Sequence, residues 1–226
     1  MAENSWNFHK ANTSDAGQGV QGTHSSLSSP LNSATGSVYY RDFSSNSGAT
    51  KAVLTGSNFQ GLDGSKAISM RAYVRIDSSD ANKHFLFLAK TNNSNPSSTN
   101  SNYASSTTGY KIGIADTSFS VDIKGVYSTG TSGASTFSND LFAESSWHLI
   151  RADIIPVYTG ASITSDQIKL FKSTDNGSTW TQIGSTQTQS ISSANTWGHA
   201  TNKYYGFQTW GCYVDNFEVY LSTPYT

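Results

Sequence analysis

The stretch Ala67-Ile68-Ser69-Met70-Arg71-Ala72-Tyr73-Val74-Arg75-Ile76 decides the fold class. Its apolar side chains, Ile68, Met70, Ala72, Val74 and Ile76, occupy every second position, with Ser69, Arg71, Tyr73 and Arg75 between them. Successive side chains of a strand point to opposite faces, so a period of two describes a strand buried on one face and polar on the other. That is the pattern of an antiparallel sheet.

Working outward, His84 to Ala89 (HFLFLA) is a continuous apolar run, expected of a central strand covered on both faces. Tyr110, Ile112 and Ile114, then Phe119, Val121 and Ile123, alternate with polar or small residues and read as a hairpin. Trp147 to Ile155 reads as a long strand stopped by Pro156. Ile168 to Lys172 and Trp180 to Ile183 flank a turn containing Asp175-Asn176-Gly177. At the C-terminal end, Tyr204 to Phe207 and Val214 to Leu221 complete the pattern, with Phe217, Val219 and Leu221 on one face and Asn216, Glu218 and Tyr220 on the other. The segments from Lys90 to Thr108 and from Gly125 to Glu144 read as long polar surface loops. Roughly nine to twelve strands without a repeat of constant period favour an all-β, antiparallel two-sheet jelly-roll sandwich over a propeller or solenoid.

Composition agrees. Of 226 residues, 39 are Ser, 25 Thr and 17 Asn, while only 13% are charged and the formal net charge is -1. Near-neutral charge argues against nucleic acid as a partner. The chain has 3 Glu and 2 Met, a poor supply of helix formers. Its 35% apolar and 12% aromatic content still suffices for a core. No signal-like segment and no membrane-length apolar run is visible. A single cysteine, Cys212, allows no internal disulfide and suits synthesis in a reducing cytosol. Residues 1 to 36 are dominated by Ser, Gly, Asn and Thr, with Trp6 and Phe8 as the only large side chains before Leu27. They read as an extended N-terminal arm, draped over its own domain or anchored on a neighbouring subunit, ahead of a β-sandwich domain at 37–226.

The segments AISMRAYVRID (67–77), HFLFLAK (84–90), YKIGIAD (110–116), SWHLIRADII (146–155), IKLFKSTDNGSTW (168–180) and YVDNFEVYL (213–221) resemble, in order and signature residues, the concanavalin A-like lectin/glucanase superfamily, in particular its laminin-G-like members. The resemblance spans about residues 37 to 221 and implies the jelly-roll sandwich. Being a pattern of strands and aromatic positions, it leaves function open. Calcium is the cofactor this superfamily most often carries; Asp77 with Asp80, or Asp116, would be its loop-end oxygen donors. The chain lacks an Asp-x-Asp-x-Asp series, and the expectation is no cofactor and no metal site. Ser173-Thr174-Asp175-Asn176-Gly177-Ser178-Thr179-Trp180 matches the Asp-box pattern S-x-D-x-G-x-T-W known from sialidases and other β proteins. Ser173, Asp175, Gly177, Thr179 and Trp180 are therefore expected to form a structural turn: a carboxylate collecting turn donors, a glycine at positive φ and a ring packed beneath the hairpin. One box and four arginines do not make a sialidase.

Glucanases and lyases occur on this fold, and the residues their chemistry needs are not in place. A retaining glucanase needs two carboxylates about 5 Å apart, which the resemblance implies would be set two or four residues apart on one strand so that both face the cleft. Glu3, Glu144 and Glu218 stand alone, and Asp215 lies three residues from Glu218, a spacing that puts the two on opposite faces of a strand. The Gln-x-His strand of the alginate lyases is absent, since Gln167-Ile168-Lys169 has no histidine. His148 falls on the opposite face from Arg151 and Asp153. The chain is thus expected to be no enzyme.

Trp197, His199, Tyr204, Tyr205 and Trp210 lie within 14 residues and are the glycan-binding candidates, since aromatic faces stack on sugar rings. A long arm, low charge, polar loops and a jelly-roll body together resemble a bacteriophage virion component, such as a capsid decoration or fibre-associated protein. That first reading implies a virion location, other virion subunits or self-association as partners and host-surface glycans as possible contacts, with no membrane. The alternative is a stand-alone carbohydrate-binding, lectin-like module.

Overall fold

The computed structural model describes residues 4–6, 20–23, 39–42, 51–54, 65–76, 84–91, 109–115, 121–126, 133–137, 147–191, 204–210 and 212–221. Fourteen strands occur among them: β1 (Asn4–Trp6), β2 (Val20–Thr23), β3 (Tyr39–Asp42), β4 (Lys51–Leu54), β5 (Ile68–Ile76), β6 (His84–Thr91), β7 (Gly109–Ala115), β8 (Val121–Val126), β9 (Gly133–Phe137), β10 (Trp147–Thr159), β11 (Ser162–Ser173), β12 (Thr181–Ser190), β13 (Tyr204–Trp210) and β14 (Cys212–Leu221). They form two antiparallel sheets. The first has eight strands in the order β12-β11-β10-β5-β14-β3-β2, with β1 also paired to β14; the second has six, in the order β4-β13-β6-β7-β8-β9. β6 lies between β13 and β7, the central position its apolar run implies.

The alternating residues of β5 explain why the sheets pack. Ile68, Met70, Ala72 and Val74 are buried against the six-stranded sheet, together with Ile150, Ala152 and Ile154 of β10. Facing them are Phe85 and Phe87 of β6, Ile112 and Ile114 of β7 and Phe207 of β13. Four phenylalanines tie the layers together. Phe85 stands edge-on to Phe87 with centroids 5.0 Å apart, and Phe207 lies 5.2 Å from Phe217 of β14 in the opposite sheet. Such pairs add to the burial of large rings, which dominates core energetics.

Three segments depart from the sequence reading. β10 does not stop at Pro156 but continues to Thr159. Its pairing with β5 ends at Ile154, so the N–H that Pro156 lacks removes no bond to β5. β9 lies within the second polar loop, pairing with β8. β12 runs on through Thr186-Gln187-Thr188-Gln189-Ser190, a polar edge strand that hydrophobic periodicity cannot reveal. β1 and β2 both lie within the 36 residues read as an arm draped over its own domain or anchored on a neighbour. β1 pairs Asn4 with Val219 and Trp6 with Phe217, while β2 pairs with β3. These parts of the arm belong to the eight-stranded sheet.

Candidate functional site

Because directly paired residues of an antiparallel sheet point to the same face, the register of the eight-stranded sheet defines what its outer face carries. Trp147 of β10, Arg75 of β5 and Tyr213 of β14 form one row. The next row joins Ser173, Leu149, Tyr73 and Asp215. A third joins Gln182, Phe171, Arg151, Arg71 and Glu218. A fourth joins Lys169, Asp153, Ser69 and Tyr220. Three of the chain's four arginines therefore share a face with six aromatic rings, counting Trp180 at the edge.

The centre of this face is covered. Arg151, Asp153 and Ser69 are buried although they point away from the core. What covers Arg151 is the turn between β11 and β12. The Arg151 guanidinium lies over the Trp180 ring, 4.5 Å from its centroid, and over the Phe171 ring, 4.3 Å from its centroid, so the cation meets two π faces. Arg151 Nη2 is 3.1 Å from Asp153 Oδ2, and the Ser69 hydroxyl donates to Asp153 Oδ1. Burial pushes the Asp153 carboxyl above its ordinary range, and those two partners pull against it.

The turn is built as its sequence implies. The Ser173 hydroxyl donates to Asp175 Oδ1 (2.7 Å) and accepts the Gly177 N–H (2.8 Å). Asp175 in turn accepts the Thr179 N–H at Oδ1 (2.8 Å) and the Thr179 hydroxyl at Oδ2 (2.6 Å). These donors, the Thr179 hydroxyl first, hold the Asp175 carboxyl down to about 2. Asn176 and Gly177 take φ of 57° and 87°. The turn reaches inward across the sheet: a methyl group at Gly177 would lie 3.2 Å from Leu149 Cδ2 and 3.8 Å from Arg71 Nη1. Ser173, Asp175, Gly177, Thr179 and Trp180 thus staple a hairpin that also roofs Arg151.

Beyond the roof the face is more open. Arg71, with a quarter of its side chain exposed, pairs through Nε with Glu218 and lies 5.3 Å over the Tyr220 ring. The Tyr220 hydroxyl donates to the same Glu218 oxygen at 2.7 Å. Trp147, Arg75 and Tyr213 are half-buried. A β-bulge between Asp215 and Glu218 changes one inference from sequence. It places Asp215 opposite Tyr73 and Glu218 opposite Arg71, both outer-face positions, whereas an unbroken strand would put the two acids on opposite faces.

Of the aromatic cluster chosen from sequence, Tyr205 is fully buried in the core and therefore unavailable for stacking on a ligand. Tyr204 and Trp210 begin and end β13; their side chains, and Trp197 and His199 entirely, lie outside the described residues. Asp77, Asp80 and Asp116 lie outside them too. Among the described residues no group of three or more His, Cys, Asp or Glu gathers to hold a metal, and no helix is long and apolar enough to cross a membrane. The outer-face rows escaped the sequence reading although their signal, the polar half of the β5 alternation, was visible. Only pairing with β10 and β14 assembles them.

No family model and no curated protein matches the chain. Its fold is similar to that of solved lectin domains. The carbohydrate recognition domain of Emp47p matches over 99% of this chain and 97% of its own, at a TM-score of 0.54 and 10% identity. The exoplasmic/lumenal domain of VIP36, solved in a Ca2+/Man3GlcNAc-bound form, matches over 83% and 80%, at 0.55 and 7% identity. The chain spans only 28% of the GH43 protein BlXynB from Bacillus licheniformis, at a TM-score of 0.43 and 12% identity, and 34% of an engineered GH43 glycoside hydrolase, at 0.47 and 12%. At such identities the likeness is one of fold: a lectin-type jelly-roll sandwich.

Proposed function

We propose that this chain is a carbohydrate-binding, lectin-like module that holds glycans without cleaving them, on the outer face of the eight-stranded sheet around Trp147, Arg75 and Tyr213. The observation that supports it is the register. Two half-buried aromatic residues are paired on either side of an arginine in one row, and directly paired residues have Cβ atoms about 5 Å apart, close enough for their side chains to act on one ligand. Aromatic faces stack on the apolar faces of sugars, and a guanidinium supplies a planar fork of donors for ring hydroxyls or carboxylates. The lectin-type fold adds to this reading without fixing the sugar.

The non-enzymatic part rests on Glu218. Its carboxylate is engaged by Arg71 and the Tyr220 hydroxyl, an arrangement that holds an acceptor in place. The virion-assembly reading, which rested on a long arm, low charge, polar loops and a jelly-roll body together, finds no support of its own in the lectin-type fold.

Titration of the purified chain against a glycan panel tests the proposal. Trp147→Ala and Tyr213→Ala are each expected to weaken binding at least tenfold with an unchanged circular dichroism spectrum. Unaltered binding by both, with loss in Trp197→Ala or Trp210→Ala, moves the site to the β13 region. Unsaturated, ultraviolet-absorbing products or new reducing ends from a polysaccharide would replace binding by catalysis.

A further inference from the structure

A second polar cluster lies in the core, independent of the glycan-binding reading. Lys90, near the end of β6, and Asp166 of β11 belong to opposite sheets, and both side chains are fully buried. Lys90 Nζ is 3.0 Å from Asp166 Oδ1 and 2.9 Å from Oδ2. The hydroxyl of Tyr110, on neighbouring β7, donates to Oδ2 at 2.8 Å. Lys90 also takes a φ of 51°, an unusual conformation for a residue with a Cβ. Strain of this kind persists where the surroundings impose a position, and it concentrates at sites with a role. An ion pair buried between two sheets is moreover a poor source of stability, because desolvating both charges offsets their attraction.

We propose that Lys90 and Asp166 condense to an intramolecular isopeptide bond that joins the two sheets covalently. Near-equal distances to both oxygens put Nζ on the plane bisecting the carboxylate, roughly 3 Å from Cγ, so that loss of the ammonium proton and a small rise out of the carboxylate plane bring the nitrogen to attack distance. One proton passes from the ammonium to Oδ1, leaving an amine facing a carboxylic acid. The Nζ lone pair adds to Cγ, and the Tyr110 hydroxyl stabilises the charge developing on Oδ2. The second Nζ proton then leaves with the Oδ1 hydroxyl as water. One C–N bond forms, one C–O bond breaks, and no oxidant, reductant or cofactor takes part. The released water leaves an apolar core, so the reverse hydrolysis lacks its reactant. With Cys212 as the sole cysteine, the amide supplies the covalent staple that no disulfide can.

Mass spectrometry of the folded, full-length protein tests this directly. The intact mass is expected one water below the sequence mass. After trypsin, the peptide 84–111, uncleaved at the acylated Lys90, is expected joined to 152–169, together one water lighter than their sum. Asp166→Ala is expected at its full sequence mass, and Tyr110→Phe to convert more slowly. An unshifted wild-type mass after prolonged incubation overturns the proposal. So does a water loss confined to one linear peptide, as an imide at Asp63-Gly64 would give. Conversion of Tyr110→Phe at the wild-type rate overturns the role given to its hydroxyl.

Discussion

The Trp180 ring lies 4.5 Å from the Arg151 guanidinium, and this contact joins the Asp-box turn to the sheet beneath it. Arg151 is almost fully buried on the outer face, where nothing in the apolar core can account for its burial. Its exclusion from water depends on the two rings and on Asp153. Trp180→Ala should therefore remove one π face and admit water to a buried cation, costing about 2 to 4 kcal/mol of stability. Trp180→Phe should recover most of that. Urea denaturation of the two variants reads the difference; equal stabilities for Trp180→Ala and the native chain would detach the turn from the sheet energetically.

Gly177 is required twice, by its φ of 87° and by its approach to Leu149. Gly160, at φ 62° in the turn between β10 and β11, is required only once, since a methyl group there meets nothing within 4 Å. Gly160→Ala should cost about 1 kcal/mol, the penalty of a left-handed conformation, and Gly177→Ala about 2. Thermal melts of both variants isolate the Leu149 contact as the difference between them.

Asp175 has its carboxyl lowered from 3.8 to about 2 by the donors of Ser173 and Thr179. The folded turn thus prefers the ionised form. The stability it contributes is complete above about pH 4 and is lost as pH falls toward 2. Asp153 runs the other way: burial raises its value, so its protonation favours the fold as pH falls. Asp175→Asn should lower the melting temperature at pH 7 and reduce its decline between pH 4 and 2. A variant that melts in parallel with the native chain across that range would remove the carboxylate from the turn's energetics.

The β5 alternation carried the fold class, because its period follows from backbone geometry alone. The Asp-box turn was equally legible, since Ser173, Asp175, Gly177 and Thr179 bond within seven residues. The outer-face rows were not. Trp147, Arg75 and Tyr213 are far apart in sequence, and only sheet order brings them side by side. The relation of Asp215 to Glu218 failed for a different reason: a bulge adds one residue that no periodicity announces. Lys90 and Asp166 carry no local signal of burial, as a lysine beside an Asn- and Ser-rich segment reads as solvent-facing.

β1 offers the sharpest contrast between the two views of the N-terminal segment. If residues 1 to 36 were an arm for a neighbouring subunit, their removal would leave the melting temperature of the isolated chain unchanged. Instead Asn4, Ser5 and Trp6 pair with Val219, Glu218 and Phe217, extending the sheet along β14. Phe217 and Val219 are fully buried, and their backbone would lose an edge partner. Deleting residues 1 to 7 is enough to remove β1 while leaving β2 in place. The shortened chain should melt several degrees lower and show faster amide exchange at residues 217 to 219 in particular. Exchange unchanged along β14 would mean that β1 contributes nothing to the sheet.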